Sequence, residues 1–153
     1  MALLADFGSS GEGLALSDFP HGERVVVTGG GLLLVDLFFF PWHRSALAGL
    51  LGGDSTRTAL QDPNALQGTL AFLITVGMVA QVILGRSGSM RPNPTLVKLQ
   101  PAAGAAVFAM LAWKLASEIS ALSVGAYLGI ILGLVVAYGG LAMGQGWHKP
   151  PWR

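Results

Sequence analysis

The fold of this chain is decided by the stretch Arg24–Trp42, which reads RVVVTGGGLLLVDLFFFPW. The stretch is apolar along most of its length, with one acidic residue, Asp36, inside it and a Pro-Trp pair at its end. A helix over about residues 25–41, rising about 1.5 Å per residue, comes close to spanning the ~30 Å hydrocarbon core. Arg24 and Trp42 suit the two membrane interfaces, since Arg side chains snorkel and Trp side chains favour the headgroup level. The stretch therefore predicts the first of four transmembrane helices.

The composition of the whole chain also indicates a membrane protein. Of its 153 residues, 52% are hydrophobic and 11% are charged, and the mean hydropathy is +0.60, whereas soluble domains average about 25% charged residues. We predict an all-α integral membrane four-helix bundle, a multi-pass protein of the cell membrane. Its parts are an N-terminal tail (1–23), a transmembrane domain (24–147) with spans at about 25–41, 66–85, 99–117 and 121–143, and a basic C-terminal tail (148–153). Pro101 falls in the first turn of the third predicted span, where its missing N–H costs little.

The distribution of cations predicts the orientation of the bundle. Six of the nine Lys and Arg residues fall at one predicted end and three at the other. The larger group is Arg24, Arg86, Arg91, Lys98, Lys149 and Arg153, and the smaller is Arg44, Arg57 and Lys114. Because cytoplasmic loops carry the excess of Lys and Arg, we predict that both termini are cytoplasmic.

Several classes of function find no support in the residues. The net charge of +1 offers no basic field for nucleic acid, and the absence of cysteine excludes disulfides and thiolate metal sites. The three histidines, His21, His43 and His148, lie in different flanks without metal-ligand spacing, so we predict no metal and no cofactor. The glycines at 29–31 are followed by leucines, so the dinucleotide-binding pattern is not completed. No nucleophile–base set stands out, and we predict that the protein is not an enzyme.

Asp36 is the polar residue that most needs an explanation. A carboxylate inside a span costs on the order of 3 kcal/mol and usually faces the bundle interior or water with a partner. Lys114, at a similar depth on the third span, is the predicted partner of Asp36. Such a pair would fix helix register; the alternatives are a protonatable site in a conduction path and an aspartate facing an outer water-filled cleft. Gln81, well inside the second span, predicts an interhelical hydrogen bond.

Small residues form ridges on two of the predicted spans. Gly125, Gly129 and Gly133 recur every four residues on the fourth span, and Ala105, Ala109, Ala112 and Ala116 form a similar ridge on the third. Such ridges allow close approach of helix backbones in membranes. We predict that the two ridges pack against each other across the tight turn between these spans; a self-association face is the alternative.

The first predicted span also carries a resemblance. Gly22-Glu23-Arg24, the glycines and leucines that follow, and the exit Phe39-Phe40-Pro41-Trp42-His43 resemble a group of small four-span actinobacterial membrane proteins with an F-x-P-W exit. Members of that group often have Tyr after Trp, where this chain has His43. The group has no established biochemical activity, so the resemblance implies the four-span topology alone.

These features lead to one function hypothesis and two alternatives. The leading one is a non-enzymatic membrane subunit or scaffold that associates, through its helices, with other membrane proteins or with itself. The first alternative is a small oligomeric channel or transporter with Asp36 facing the path. The second is an enzyme acting on lipid, for which Asp54, Arg57 and Asp62 are the one outer cluster of polar residues, in a context typical of a solvated loop.

Overall fold

The computed structural model describes residues 16–44, 56–61, 65–90, 93–117 and 122–146. Within them lie a 3-10 turn (Leu16–Asp18), two short strands and four α-helices. These are α1 (His21–Phe39), β1 (His43–Arg44), β2 (Thr56–Arg57), α2 (Ala65–Arg86), α3 (Pro94–Ser117) and α4 (Val124–Gly144). The C-terminal tail 148–153, most of the N-terminal tail, Asp54 and Asp62 lie outside the described residues.

Three of the described helices are long and apolar enough to cross a membrane. By length and composition these are α2, α3 and α4. The first helix, α1, has a similar length of 19 residues, but it carries Glu23, Arg24 and Asp36 among its apolar residues.

The helices pack side by side in a closed ring. α1 packs against α2 and α4, and α3 packs against the other sides of the same two helices. The start of α1 meets the end of α4, where His21 Nε2 lies 3.1 Å from the Tyr138 hydroxyl, and it also meets the end of α2, where Arg86 bonds Glu23. Consecutive helices therefore run antiparallel, which is the up-and-down order that short connections favour.

The two short strands lie at one end of the ring, which we call the hairpin end. β1 and β2 pair antiparallel, with His43 opposite Arg57, and His43 also bridges to Leu122 just before α4. Strands of two residues are too short to leave an alternating pattern, so the sequence of this segment indicates only a loop. The other end of the ring, which holds the starts of α1 and α3 and the ends of α2 and α4, is called the opposite end.

The start of α3 differs from the prediction. The helix begins at Pro94 rather than near residue 99, because Asn93 Oδ1 accepts a hydrogen bond of 2.9 Å from the Thr95 N–H and proline suits the first helical position. Pro101 consequently lies inside the helix, so its predicted place in the first turn is wrong. Its ring packs against Gly144 of α4, where a Cβ atom would overlap it.

The core of the ring is apolar, and so is much of its outside. Buried side chains include Leu33 of α1, Met78 of α2 and Leu111 of α3. Large hydrophobic side chains also cover the outer faces, for example Phe39 at 71% and Ile131 at 60% exposure. The helices therefore lack the polar outer face that surface helices of soluble proteins carry.

Candidate functional site

The candidate site at the hairpin end is built around Asp36 in the last turn of α1. Its side chain is 1% exposed, and Oδ2 accepts a hydrogen bond of 3.1 Å from the Trp42 indole N–H. The chain leaves the helix before Pro41 and folds back, so that Trp42 comes to lie over the preceding turn. The site is therefore assembled from residues six apart in one exit segment.

The backbone on both sides holds Trp42 in this place. Its N–H donates to the Arg57 carbonyl oxygen at 2.7 Å, and its carbonyl oxygen accepts from the Ser123 N–H at 2.9 Å. The segment after α1 is thereby tied to β2 on one side and to the start of α4 on the other. Trp42 is fully buried, so its side chain lies inside the bundle and not on the outer surface. The indole N–H finds its acceptor inside the bundle, which removes the usual reason for a Trp to stay at the interface.

Lys114 was the predicted partner of Asp36. Its side chain is also fully buried, near the hairpin end of α3. However, Trp42 is the hydrogen-bond donor to Asp36 Oδ2, and Oδ1 of the same carboxylate accepts no hydrogen bond from the described residues. The structure thus gives Asp36 a hydrogen-bond donor from its own exit segment, and the pairing of Asp36 with Lys114 stays a prediction.

The glycine ridge of α4 makes room for this arrangement. A Cβ atom at Gly129 would overlap the Trp42 ring and lie 2.7 Å from Asp36 Oδ2, and one at Gly125 would lie 2.7 Å from the Pro41 carbonyl oxygen. The third glycine, Gly133, faces Leu111 of α3 instead, with 2.9 Å to its Cδ1 atom. The predicted packing of the ridge against α3 is therefore wrong for Gly125 and Gly129, because the folded-back exit of α1 occupies their side of the helix.

The alanine ridge of α3 does not face α4 either. Ala105, Ala109 and Ala116 are exposed, and α3 approaches α4 through Gly104, where a Cβ atom would lie 2.8 Å from the Ala137 Cα atom. The two helices pack against each other as predicted, but not through the two ridges. Gly104 of α3 and Gly140 of α4 allow the close backbone approach, which leaves Ala105, Ala109 and Ala116 on the outer surface and Ala112 half-buried.

Gln81 takes part in an interhelical hydrogen bond near the opposite end. Its Oε1 atom accepts from Gln100 Nε2 of α3 at 2.8 Å, as its position inside an apolar span predicts. Its partner Gln100 is 2% exposed and is not predicted by the sequence reasoning above. The position of Gln100 along its helix could have indicated the pair, because Gln100 and Gln81 lie at about the same distance from the opposite end.

Charged and cavity-lining residues gather at the opposite end beyond this amide pair. Arg86 Nε donates to Glu23 Oε2 at 2.6 Å, and the two side chains are 39% and 22% exposed. The Arg86 guanidinium also lies 5.8 Å from the centre of the Phe19 ring. A cavity of about 320 Å³ opens beside the ion pair.

The described residues contain no group of three or more His, Asp and Glu side chains that could hold a metal ion. Comparison of the chain with protein-family models, with curated proteins and with solved structures finds no match. The functional argument therefore rests on the chain's own geometry. At the hairpin end the Asp36 carboxylate is shielded from solvent. This burial favours a structural role for Asp36 over a catalytic one.

Proposed function

We propose that this chain is an integral membrane protein of the cell membrane, a four-helix bundle with both termini cytoplasmic. We further propose that it acts as a non-enzymatic subunit or scaffold. Its partners would be the lipid bilayer and, through helix–helix contacts, other membrane proteins or further copies of the same chain.

The observation that carries this proposal is the exposed alanine ridge of α3. Three residues of the ridge, Ala105, Ala109 and Ala116, are exposed, as is the neighbouring Ala102. Their successive spacings of three, four and seven residues place all four on one outer face of the helix. Membrane helices associate where small residues let backbones approach closely. In this structure α2 and α4 pack on α3 without covering the ridge, so it remains available to a helix from outside.

The apolar outer surface supports the membrane location. Leu32, Leu66, Trp113 and Leu134 are each more than half exposed. Contiguous apolar surface of this kind is unfavourable in water but is what a lipid-facing surface requires.

The geometry does not favour the channel or transporter alternative. Such a path would have to reach Asp36, yet its carboxyl group is 1% exposed. The Trp42 ring and the backbone of α4 at Gly129 close around it. We therefore retain the subunit hypothesis.

Association can be tested by adding bulk to the ridge. After gentle solubilisation, native mass spectrometry is expected to show a defined complex for the wild type. Replacing Ala105 and Ala109 together with leucine should raise the dissociation constant of the complex about tenfold, equivalent to ~1.4 kcal/mol, because the added side chains hold helices apart. Leu134→Phe, which enlarges an exposed side chain on α4, is the control and should leave the complex intact. A wild-type monomer, or equal loss in both variants, would contradict the proposal.

The orientation can be tested without removing any native thiol, since the chain contains no cysteine. Thr56→Cys lies at the hairpin end and Ser89→Cys at the opposite end, and both positions are exposed. In intact cells a membrane-impermeant maleimide is expected to label the first variant, and to label the second only after permeabilisation. The reverse pattern would place the termini outside, and labelling of both variants in intact cells would argue against a membrane-spanning bundle.

A further inference from the structure

Two cavities meet at the opposite end of the bundle. The first, of about 320 Å³, is lined by Glu23, Arg86 and Asn93 among others. The second, of about 370 Å³, lies between α2 and α3. Both volumes are within the range of about 300–1,000 Å³ typical of small-molecule sites. Gln81, Met90 and Leu96 line both cavities, so the two cavities adjoin each other.

The second cavity is an apolar groove that small residues keep open. Gly77, Ala80 and Ala103 line it together with larger apolar side chains, and a Cβ atom at Gly77 would meet nothing within 4 Å. The groove extends along α2 from Leu84 to Ile74, about 15 Å at ~1.5 Å per residue. One leaflet of a hydrocarbon core of ~30 Å is about 15 Å thick. The groove therefore has the length of one acyl chain in the leaflet at the opposite end.

The mouth of the groove carries one positive and one negative side chain. Arg86 uses Nε to bond Glu23 Oε2, and its guanidinium has further N–H groups of the kind that bind phosphate. Asn93 and Leu96, at the start of α3, line the same cavity, and the partial positive charge of a helix N-terminus attracts phosphate as well. Glu23 supplies the complementary site for a cation. The charges match a headgroup that contains both a phosphate and an ammonium.

A buried amide lies between the mouth and the groove. Gln100 Oε1 accepts no hydrogen bond from the described residues, although its side chain is 2% exposed and lines the groove. Each glutamine amide can donate as well as accept, so the Gln81–Gln100 pair can offer either an acceptor or, with the bond reversed, a donor. A lipid ester carbonyl oxygen only accepts, so it suits the reversed bond, in which an amide N–H of Gln100 replaces the unpaired oxygen. A buried polar atom without a partner is costly, and a hydrogen bond to the ester would relieve that cost.

We propose that this site binds one phospholipid with a primary-amine headgroup, such as phosphatidylethanolamine. Its phosphate lies at Arg86 and the start of α3, its ammonium at Glu23, its glycerol region at the amide pair, and one acyl chain in the groove. The inference rests on the proposed membrane location but not on helix–helix association.

The test is native mass spectrometry of the full chain after exchange into detergent with defined lipids. Wild-type protein is expected to retain one phosphatidylethanolamine, in preference to phosphatidylglycerol by about tenfold, or ~1.4 kcal/mol. Gly77→Leu fills the groove and should lower retention by a similar factor. Gly31→Leu is the matched control, because that glycine of α1 also has nothing within 4 Å of a Cβ atom but does not line either cavity. Glu23→Gln should abolish the preference for the amine headgroup while retention of phosphatidylglycerol persists.

Several results would overturn the proposal. One is equal retention by Gly77→Leu and Gly31→Leu, and another is equal retention of the two lipids by the wild type. A disulfide between two copies of Gly77→Cys under mild oxidation would show that a second chain, rather than a lipid, occupies the groove. A monomer that retains the lipid would count against helix–helix association but would support the lipid site. The two proposals can therefore be distinguished.

Discussion

Replacing Trp42 with alanine is expected to lower the free energy of unfolding by about 3–5 kcal/mol, the usual cost of removing a fully buried large aromatic side chain. Trp42 is 0% exposed, and its ring fills the space beside Gly129 of α4. Its loss would leave a cavity that backbone ties to Arg57 and Ser123 prevent from closing. It would also remove the hydrogen bond to Asp36 Oδ2.

Trp42→Phe separates these two effects. It keeps much of the ring volume but removes the indole N–H, which leaves the buried carboxylate without this donor at a cost of about 1–3 kcal/mol. Unfolding should be followed by circular dichroism in mixed micelles with increasing denaturing detergent, because Trp fluorescence would change with the substitution itself. Alanine and phenylalanine variants of equal stability would show that the cavity contributes nothing, contrary to the fully packed environment described above.

The second large effect is expected at Gly129. Gly129→Ala should destabilise the protein by about 1–3 kcal/mol through overpacking, because the new methyl group would overlap the Trp42 ring and crowd Asp36 Oδ2 at 2.7 Å. Gly31→Ala is the matched control in a helix, since its Cβ position is open. Alanine exceeds glycine in helix propensity by about 1 kcal/mol, so the control should be neutral or stabilising.

Combining Gly129→Ala with Trp42→Ala tests whether the two residues act through the same space. Removal of the indole ring frees the volume that the added methyl group needs. The double variant should therefore be more stable than the sum of the single effects predicts, with a coupling of about 0.5–3 kcal/mol as found for residues in contact. If the two changes in the free energy of unfolding were strictly additive, Gly129 and Trp42 would not be in contact.

Much of the helical framework was predictable because long apolar stretches impose it locally. The predicted spans at 66–85 and 121–143 correspond closely to α2 (Ala65–Arg86) and α4 (Val124–Gly144). The start of α3 was missed although its signal was present, since Asn93-Pro94 is a typical helix N-terminus. The polar residues Asn93, Thr95 and Lys98 around the helix start obscure that signal in the hydropathy pattern.

The contacts between elements were less predictable, since they depend on which neighbour each helix face meets. Spacing alone shows that Gly125, Gly129 and Gly133 share a face, but not that two of them receive the exit of α1 and the third receives α3. Similarly, a tryptophan that follows a proline at a helix exit suggests a side chain on the outer surface. Its burial is understood only when its hydrogen-bond acceptor is known. Asp36 supplies that acceptor one and a half turns back along the chain.

The sequence by itself determined that the chain forms apolar helices, that Asp36 and Gln81 need interior partners, and where small residues permit close packing. These properties follow from hydropathy and helical periodicity, which act within one segment. Only the tertiary structure decided that Trp42 folds back onto Asp36, that the alanine ridge of α3 faces outward, and that Gln81 and Gln100 meet beside a groove. Such outcomes depend on the competition among neighbouring helices for the same space, and no single segment contains that information.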